Sequence, residues 1–180
     1  MTPSGEAFVC VEANVARDRW GPPTDRRGFM LEAMGKQTDE LADRLAIVDT
    51  ITRLFVYTDQ ARWDDMVDTV FAATVDFDGG LGEPAGPRSS REIADGWKTG
   101  LAGLDAVHHQ AGNHLVDLDG DRAIAHSDAI AVHAKNDASN GKTRTFVGSY
   151  VIGLHRTGAG WRIDRFIYQL KIIDGNADLT

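Results

Sequence analysis

The chain has 180 residues, of which 42% are hydrophobic and 26% are charged, and this suits one globular domain with a proper core. Its 27 Asp+Glu outnumber its 19 Lys+Arg, and the resulting net charge of -8 disfavours nucleic acid and anionic membranes as partners. The only cysteine, Cys10, allows no intrachain disulfide. Because we find neither an 18-residue apolar run nor a signal-peptide pattern, we expect a soluble protein of the cytoplasm.

Residues 1–38 differ from the rest of the chain. They are rich in glycine and proline, including Pro3, Pro22 and Pro23, and they show no sustained hydrophobic period. We therefore predict a flexible or loosely docked N-terminal extension over residues 1–38, followed by one domain over residues 39–177. Within the extension, residues 8–11 are a candidate for an edge strand.

Three helices are predicted in the first part of the domain. The first begins at a cap formed by Thr38 or Asp39 and ends near Thr58 or Ala61. The second covers residues 63–72, and the third covers residues 90–104. The apolar face predicted for the first helix has a spacing of three or four residues and consists of Leu41, Leu45, Val48, Thr52, Phe55 and Asp59.

Strands dominate the second part of the domain. Residues 74–78 are a short strand candidate, and residues 79–87 form a loop rich in glycine and proline. Four long strands with alternating polarity are predicted over residues 106–118, 122–135, 143–156 and 161–173. Helices followed by an antiparallel meander predict an α+β fold, in which a curved, cone-shaped, mixed or antiparallel sheet wraps around the N-terminal helices and leaves a cavity.

Asp59 is the most informative residue, because a carboxylate on the apolar face of a helix costs free energy unless it is paired. Its candidate partners are histidines on the long strands. On the first of these strands His109 shares a face with Ala111 and Asn113, whereas His108 lies on the opposite, solvated face. On the next strand, the alternation places one set of residues on the inner face, namely Ala125, Ser127, Ala129, Ala131 and His133.

A carboxylate bonded to one imidazole nitrogen fixes the tautomer and makes the other nitrogen a better base. We therefore predict a proton-transfer site in which Asp59 orients His109. Two alternatives remain open from the residues alone. Asp59, His109 and His133 could form a metal triad, although they contain no closely spaced ligand pair, and Asp59 could cap the turn after the first helix and face water.

Six short segments of the chain, taken together, match the pattern of a known family. They are residues 45–49 (LAIVD), residues 59–64 (DQARWD), residues 109–114 (HQAGNH), the turn at residues 120–121, residues 160–163 (GWRI) and residues 174–176 (DGN). With these strings the chain resembles SnoaL-like proteins of the nuclear transport factor 2-like, or cystatin-like α+β, superfamily. The resemblance covers about residues 40–177. It is specific for the fold and weak for the substrate, because this scaffold hosts unrelated chemistries.

The resemblance is nearest to the branch of scytalone dehydratase and bile-acid dehydratase. In that branch an Asp at the end of the first helix pairs with a His on the first long strand, and a His on the next strand assists the leaving group. These positions fall on Asp59, His109 and His133. The resemblance thus implies a proton-transfer site without metal or cofactor. The two tyrosines that hold a water in scytalone dehydratase are replaced here by Thr58 and Phe77.

We accordingly predict a lyase or isomerase of the dehydratase type that acts on a small, apolar, cyclic or polyketide-like molecule. Its predicted catalytic residues are Asp59, His109 and His133, and its predicted substrate contacts are Tyr57, Phe77, Trp97, Asn113, Ser127 and Tyr150. A homo-oligomer, dimer or trimer, is expected by analogy. The alternatives are a module that binds a hydrophobic ligand without catalysis, and an accessory subunit similar to the β subunits of aromatic-ring dioxygenases.

Overall fold

The computed structural model of the protein describes residues 26–180. The chain divides into two units, residues 1–38 and residues 39–180. Of the first unit only residues 26–38 are described, and they are helical. Cys10 and the edge strand predicted over residues 8–11 lie outside the described residues, and the flexible extension stays a prediction. The site and the fold described below belong to the second unit.

The described part of the chain forms helices first and then mainly strands. The elements are α1 (Arg26–Asp59), α2 (Trp63–Thr69), β1 (Phe71–Asp78), β2 (Gly86–Ser89), α3 (Ser90–Leu101), β3 (Ala106–Asp119), β4 (Arg122–Ala134), β5 (Thr143–Thr157) and β6 (Gly160–Gly175). The strands form one open sheet in the order β2-β1-β6-β5-β4-β3. Only β1 and β6 pair in parallel, so the sheet is mixed. The predicted α+β, cone-like fold is confirmed.

The first helix differs from its prediction in its start and in its buried face. It begins at Arg26 rather than at Thr38 or Asp39, because residues 30–34 are good helix formers that extend it. Its buried face consists of Ile47, Thr50, Ile51, Leu54, Phe55 and Thr58. Leu41, Leu45 and Thr52 of the predicted face are exposed. Phe55 belongs to two apolar stripes of this helix. The stripe that contains Ile47 and Ile51 is the one that is buried.

The elements between α1 and β3 also differ in their bounds. The second helix ends at Thr69, and β1 begins at Phe71 rather than at residue 74. Part of the predicted loop forms β2, which lies at the edge of the sheet. Pro87 fits there because an edge strand has an outer side on which no N–H is needed. The third helix starts at a capping box, in which the side chains of Ser89 and Glu92 each accept from the other's backbone N–H.

The four long strands lie where the alternation predicts them, within two residues at each end. On β4 the burial alternates strictly, so that His133 and Ser127 are buried while Ile124 and Ile130 are exposed. The core under this sheet is formed by large side chains that are fully buried, including Ile47, Ile51, Leu54, Met66, Val75, Ile152, Leu154 and Ile163. Among the described residues, no helix has both the length and the apolar character needed to cross a membrane.

Candidate active site

A cavity of about 430 Å³ opens between the helices and the sheet. Its wall is largely aromatic, with side chains from Phe55, Phe77, Trp97, Phe146, Tyr150, Phe166 and Tyr168. Phe77 and Phe166 stack with their ring centroids 5.2 Å apart, and Trp97 packs edge-on against Phe166. The size suits a small organic molecule, and the apolar lining favours a molecule with a large hydrophobic surface.

Asp59 and His109 meet at this cavity. Asp59 is the last residue of α1, and His109 lies on β3. The carboxylate Oδ1 is 2.6 Å from Nδ1 of His109, and Oδ2 accepts the backbone N–H of the same residue at 2.9 Å. The two contacts fix both the ring and the strand relative to the helix end. His109 lines the cavity, and its ring packs 5.5 Å from that of Phe55.

Burial distinguishes the two neighbouring histidines. Nδ1 of His108 is 3.6 Å from Oδ2 of Asp59, but the His108 side chain is 74% exposed. The side chains of His109 and Asp59 are only 12% and 18% exposed. Asp59 lies at the margin of the buried face of α1, four residues after Phe55, and its pairing with His109 compensates its partial burial. The alternative in which Asp59 faces water as a cap of the next turn does not fit this contact.

The second cavity histidine, His133, is held by an arginine that the sequence analysis did not single out. His133 is 8% exposed, and Nε of Arg144 donates to its Nδ1 at 3.2 Å. Burial lowers the pKa of His133 to about 4, with further lowering by the charges of Arg144 and His109 and an opposing effect of Asp59. His133 is therefore a neutral imidazole at neutral pH. Its ring centroid is 6.2 Å from that of His109.

Two tyrosines form another part of the cavity wall. The rings of Tyr150 and Tyr168 lie 4.8 Å apart, and both line the cavity. Burial raises the pKa of both hydroxyls above the ordinary value, with Tyr168 adding to the effect on Tyr150. The two phenols therefore stay protonated and can donate hydrogen bonds to a ligand.

Three of the predicted substrate contacts do not line the cavity, whereas Phe77, Trp97 and Tyr150 do. The Tyr57 ring lies under the guanidinium of Arg62, at 4.2 Å, and packs against the edge of the core outside the cavity. Ser127 is fully buried in the core and pairs with Nδ1 of His114 at 2.7 Å.

Asn113, the third predicted contact that does not line the cavity, is turned outward by a β-bulge. The pairing of β3 with β4 shifts between Gly112 and Leu115, and Asn113 adopts a φ of 53°. The extra residue reverses the alternation, so that Asn113 faces outward and donates to Asp128 at 3.0 Å. A strict alternation would place His114 on the face opposite to His109, and it turns inward for the same reason.

The sequence analysis did not single out many of the cavity residues on α3, β5 and β6. On the two strands they include Arg144, Phe146 and Phe166, and on the helix they are Glu92, Ile93, Gly96, Gly100 and Leu101. The period of two was the available signal, because Arg144, Phe146 and Tyr150 are separated by even numbers of residues on one strand. Within residues 26–180, no group of three His, Cys, Asp or Glu side chains is arranged to hold a metal ion.

The arrangement as a whole combines a base and a donor in an apolar cavity. Because Nδ1 of His109 is bonded to Asp59, Nε2 is the nitrogen left for a ligand. No buried side-chain nitrogen or oxygen lacks a partner in the described part of the chain, and no hydrogen bond to this Nε2 is formed, so it is open to the cavity. The site can therefore remove a proton at one point and donate a hydrogen bond at another.

Comparison with known proteins gives the family and the fold. The model of the SnoaL-like domain matches residues 39–167. A search of curated proteins finds no significant match. The Kfla4162 protein of Kribbella flavida is 26% identical, with a TM-score of 0.72 over 78% of this chain and 97% of that one.

Two further solved structures share the fold at lower identity. A protein of Novosphingobium aromaticivorans, provisionally named a scytalone dehydratase, is 16% identical, with a TM-score of 0.63 over 77% of this chain and 91% of its own. The hexachlorocyclohexane dehydrochlorinase LinA-type3 of Novosphingobium barchaimii is 14% identical, with a TM-score of 0.65 over 78% of this chain and 94% of its own. Because the family match extends over most of the chain, this protein belongs to the SnoaL-like domain family.

Proposed function

We propose that the protein is a cofactor-independent lyase or isomerase of the dehydratase type, which acts on a small, apolar, cyclic or polyketide-like molecule. The observation that carries this proposal is the 2.6 Å contact between Asp59 and His109 at the wall of an aromatic cavity. Burying a carboxylate and an imidazole costs free energy of desolvation, which a purely structural role rarely requires. The same pair is a common arrangement for general base catalysis.

In the proposed elimination, Nε2 of His109 takes a proton from a carbon next to a carbonyl group. The electrons of the broken C–H bond form a C=C bond while the neighbouring C–O bond breaks. His133 donates a hydrogen bond to the departing oxygen, and the proton held by His109 passes to it, which releases water and restores the neutral imidazole. In an isomerisation the same proton returns to a different carbon. Asp59 stabilises the imidazolium that exists between the two transfers.

The chemistry is supported by the apolar surroundings. The aromatic wall excludes water, and this strengthens the interaction between Asp59 and a charged His109. The short contact also favours catalysis over the alternative of a non-catalytic ligand-binding module, which has no need of an oriented base. The accessory-subunit alternative requires a partner chain, and co-purification with an oxygenase subunit would favour it.

The experiment starts from a thermal-shift screen of cyclic ketones, cyclic alcohols and polyketide-like compounds. Compounds that bind are then incubated with the enzyme, and product is followed by mass spectrometry for loss of water or for isomerisation. His109→Ala should lower turnover by about 10²–10⁴-fold. His108→Ala is the matched control, because this neighbour on the same strand is exposed and lies outside the cavity wall, and it should stay close to wild type. Full activity of His109→Ala would refute the proposal.

We expect a homodimer or homotrimer in the cytoplasm. Apolar side chains on the strands are consistent with an oligomer, since Leu115, Ile124, Ile130 and Ile172 are largely exposed. Size-exclusion chromatography with light scattering measures the oligomeric state directly.

A further inference from the structure

We infer that Arg144 is a positioning residue, which holds His133 in the tautomer opposite to that of His109. One cavity histidine then presents a lone pair and the other presents an N–H group. The inference about the tautomers stands on hydrogen bonds alone, whereas its catalytic consequence rests on the proposed function.

The tautomer of His109 follows from its partner. An ionised carboxylate can only accept, so Nδ1 of His109, 2.6 Å from Oδ1 of Asp59, carries the proton. In the neutral ring the lone pair is then at Nε2, which is open to the cavity. Oδ2 of Asp59 is bonded to the backbone N–H of His109, and this second contact keeps the carboxylate in the orientation that fixes the tautomer.

The tautomer of His133 follows from the opposite kind of partner. A guanidinium can only donate, so Nδ1 of His133, 3.2 Å from Nε of Arg144, must be the accepting lone pair. The neutral ring then carries its proton at Nε2. Within residues 26–180 no hydrogen bond satisfies this Nε2, and no buried side-chain nitrogen lacks a partner, so this N–H is open to the cavity that His133 lines.

Arg144 is itself held firmly in place. Its Nη1 donates to the backbone carbonyl of Ala177 at 3.0 Å, and its guanidinium lies 5.2 Å from the centre of the Phe146 ring. No carboxylate in the described part of the chain forms an ion pair with it. Its charge is therefore not neutralised by a carboxylate, and it contributes to the lowered pKa of His133.

The charges around His133 favour the neutral ring. Arg144 faces it from β5 and His109 faces it from β3, and both disfavour a proton on its free lone pair, while Asp59 at the end of α1 acts in the opposite direction. Burial is the largest cause of the lowered pKa of His133, and the charge of Arg144 adds to it. The N–H at Nε2 therefore persists at neutral pH without a positive charge on the ring.

This arrangement narrows the class of substrate. A neutral N–H beside a fixed cation stabilises an oxygen that gains negative charge, because hydrogen bonds to charged oxygen are short and strong. A departing halide is a poor hydrogen-bond acceptor, so this N–H stabilises it less than it stabilises an oxygen. The site therefore suits dehydration or enolisation, in which a hydroxyl or carbonyl oxygen lies at Nε2 of His133, better than loss of a halide.

The test reads the tautomers directly by two-bond ¹H–¹⁵N correlation spectra of the imidazoles in the ¹⁵N-labelled full chain. The chain has six histidines, so single His→Gln variants assign the His109 and His133 signals. At pH 7 the wild type should show the proton at Nδ1 of His109 and at Nε2 of His133. Arg144→Met removes the donor and keeps the stem, and it should let His133 populate both tautomers and titrate at higher pH.

Two further variants make the result specific. Arg144→Lys keeps a donor and a charge, and it should restore much of the Nε2–H tautomer. Arg88→Met removes another arginine of the cavity wall, whose guanidinium pairs with Glu83 and donates to the carbonyl of Pro84 rather than to His133, and it should leave the His133 signals unchanged. A wild-type spectrum with the His133 proton at Nδ1, or an Arg144→Met spectrum identical to wild type, would overturn the inference. The wild-type spectrum decides even if Arg144→Met does not fold.

The outcome is independent of the test of the proposed function. Opposite tautomers together with an inactive cavity, in which His109→Ala changes no turnover, would support the role of Arg144 and refute the enzyme. A His133 proton at Nδ1 together with a large loss of turnover in His109→Ala would refute the role of Arg144 and support the enzyme.

Discussion

Acidification should destabilise the protein to an extent that depends on His133. Its pKa is about 4 in the folded protein, because the ring is buried and lies beside Arg144 and His109, whereas the ordinary value is 6.5. Between pH 6.5 and pH 4 the unfolded chain therefore binds more protons at this residue than the folded chain does. The contribution of neutral, buried His133 to the free energy of unfolding is thus fully present above pH 6.5. It decreases as the pH falls from 6.5 to 4.

The size of the effect follows from the same pKa values. One unit of pKa difference corresponds to about 1.36 kcal/mol. At pH 4.5 the unfolded His133 is almost fully protonated and the folded one is mostly neutral. Relative to pH 7.5, the free energy of unfolding should therefore fall by about 2–3 kcal/mol because of this residue.

Urea denaturation of the wild type and of His133→Gln at pH 7.5 and pH 4.5 measures this difference. Glutamine does not titrate and can still accept from Arg144, so the loss on acidification should be about 2–3 kcal/mol smaller in the variant. His108→Gln is the control and should lose as much as wild type, since His108 is exposed. His114, whose pKa burial also lowers, adds a dependence of the same sign that all three proteins share. Equal losses in all three would refute the reasoning.

Substitutions at three other positions test the geometry. Asp59→Asn keeps an acceptor for the backbone N–H of His109 but no longer fixes the tautomer of the His109 ring. Turnover should therefore fall by about 10²–10⁴-fold with little change in stability. Asp59→Ala removes the acceptor as well, and urea denaturation should show an additional loss of about 1–3 kcal/mol. Gly148→Ala places a Cβ against the Tyr168 ring and 2.7 Å from the backbone oxygen of Gln169. Calorimetry should show a cost of about 1–3 kcal/mol, and ligand binding should be weaker. Asn113→Ala and Asn113→Gly both lose the bond to Asp128, but only alanine is strained at a φ of 53°. Asn113→Ala should therefore be about 1 kcal/mol less stable in denaturant than Asn113→Gly. An unchanged midpoint in Gly148→Ala, or equal stability of the two Asn113 variants, would contradict the respective argument.

The fold was predictable because its strongest signals are local. Four long strands alternate strictly enough that their bounds agree within two residues, and glycine or asparagine in the turns separates them. The buried face of α1 was not predictable in the same way, because two stripes share Phe55 and sequence alone does not say which one the sheet covers. The short edge strand β2 also escaped, because it contains Pro87 and is defined only by its pairing with β1.

The position of Asp59 opposite His109 was anticipated by its place at the end of a helix and by the inward face of the strand. Arg144 was not anticipated, because its importance comes from a contact across two strands and not from its own surroundings in the sequence. On β4 and β5 the Cα partner of His133 is Arg144, and this register is set by the whole antiparallel ladder. Sequence patterns therefore identified the pair of Asp59 and His109 better than the residue that holds His133.

The bulge at Asn113 explains how one strand can serve both the cavity and the core. Before it the odd positions of β3 face inward, and they place His109 at the cavity; after it the even positions do, and they place Val116 and Leu118 against the core. Without the extra residue the inward face would continue to Asp117, and burying that carboxylate would be costly. Asparagine tolerates the positive φ, and its bond to Asp128 fixes the turn of the strand. The register that brings His109 to Asp59 therefore depends on a residue that lies outside the cavity.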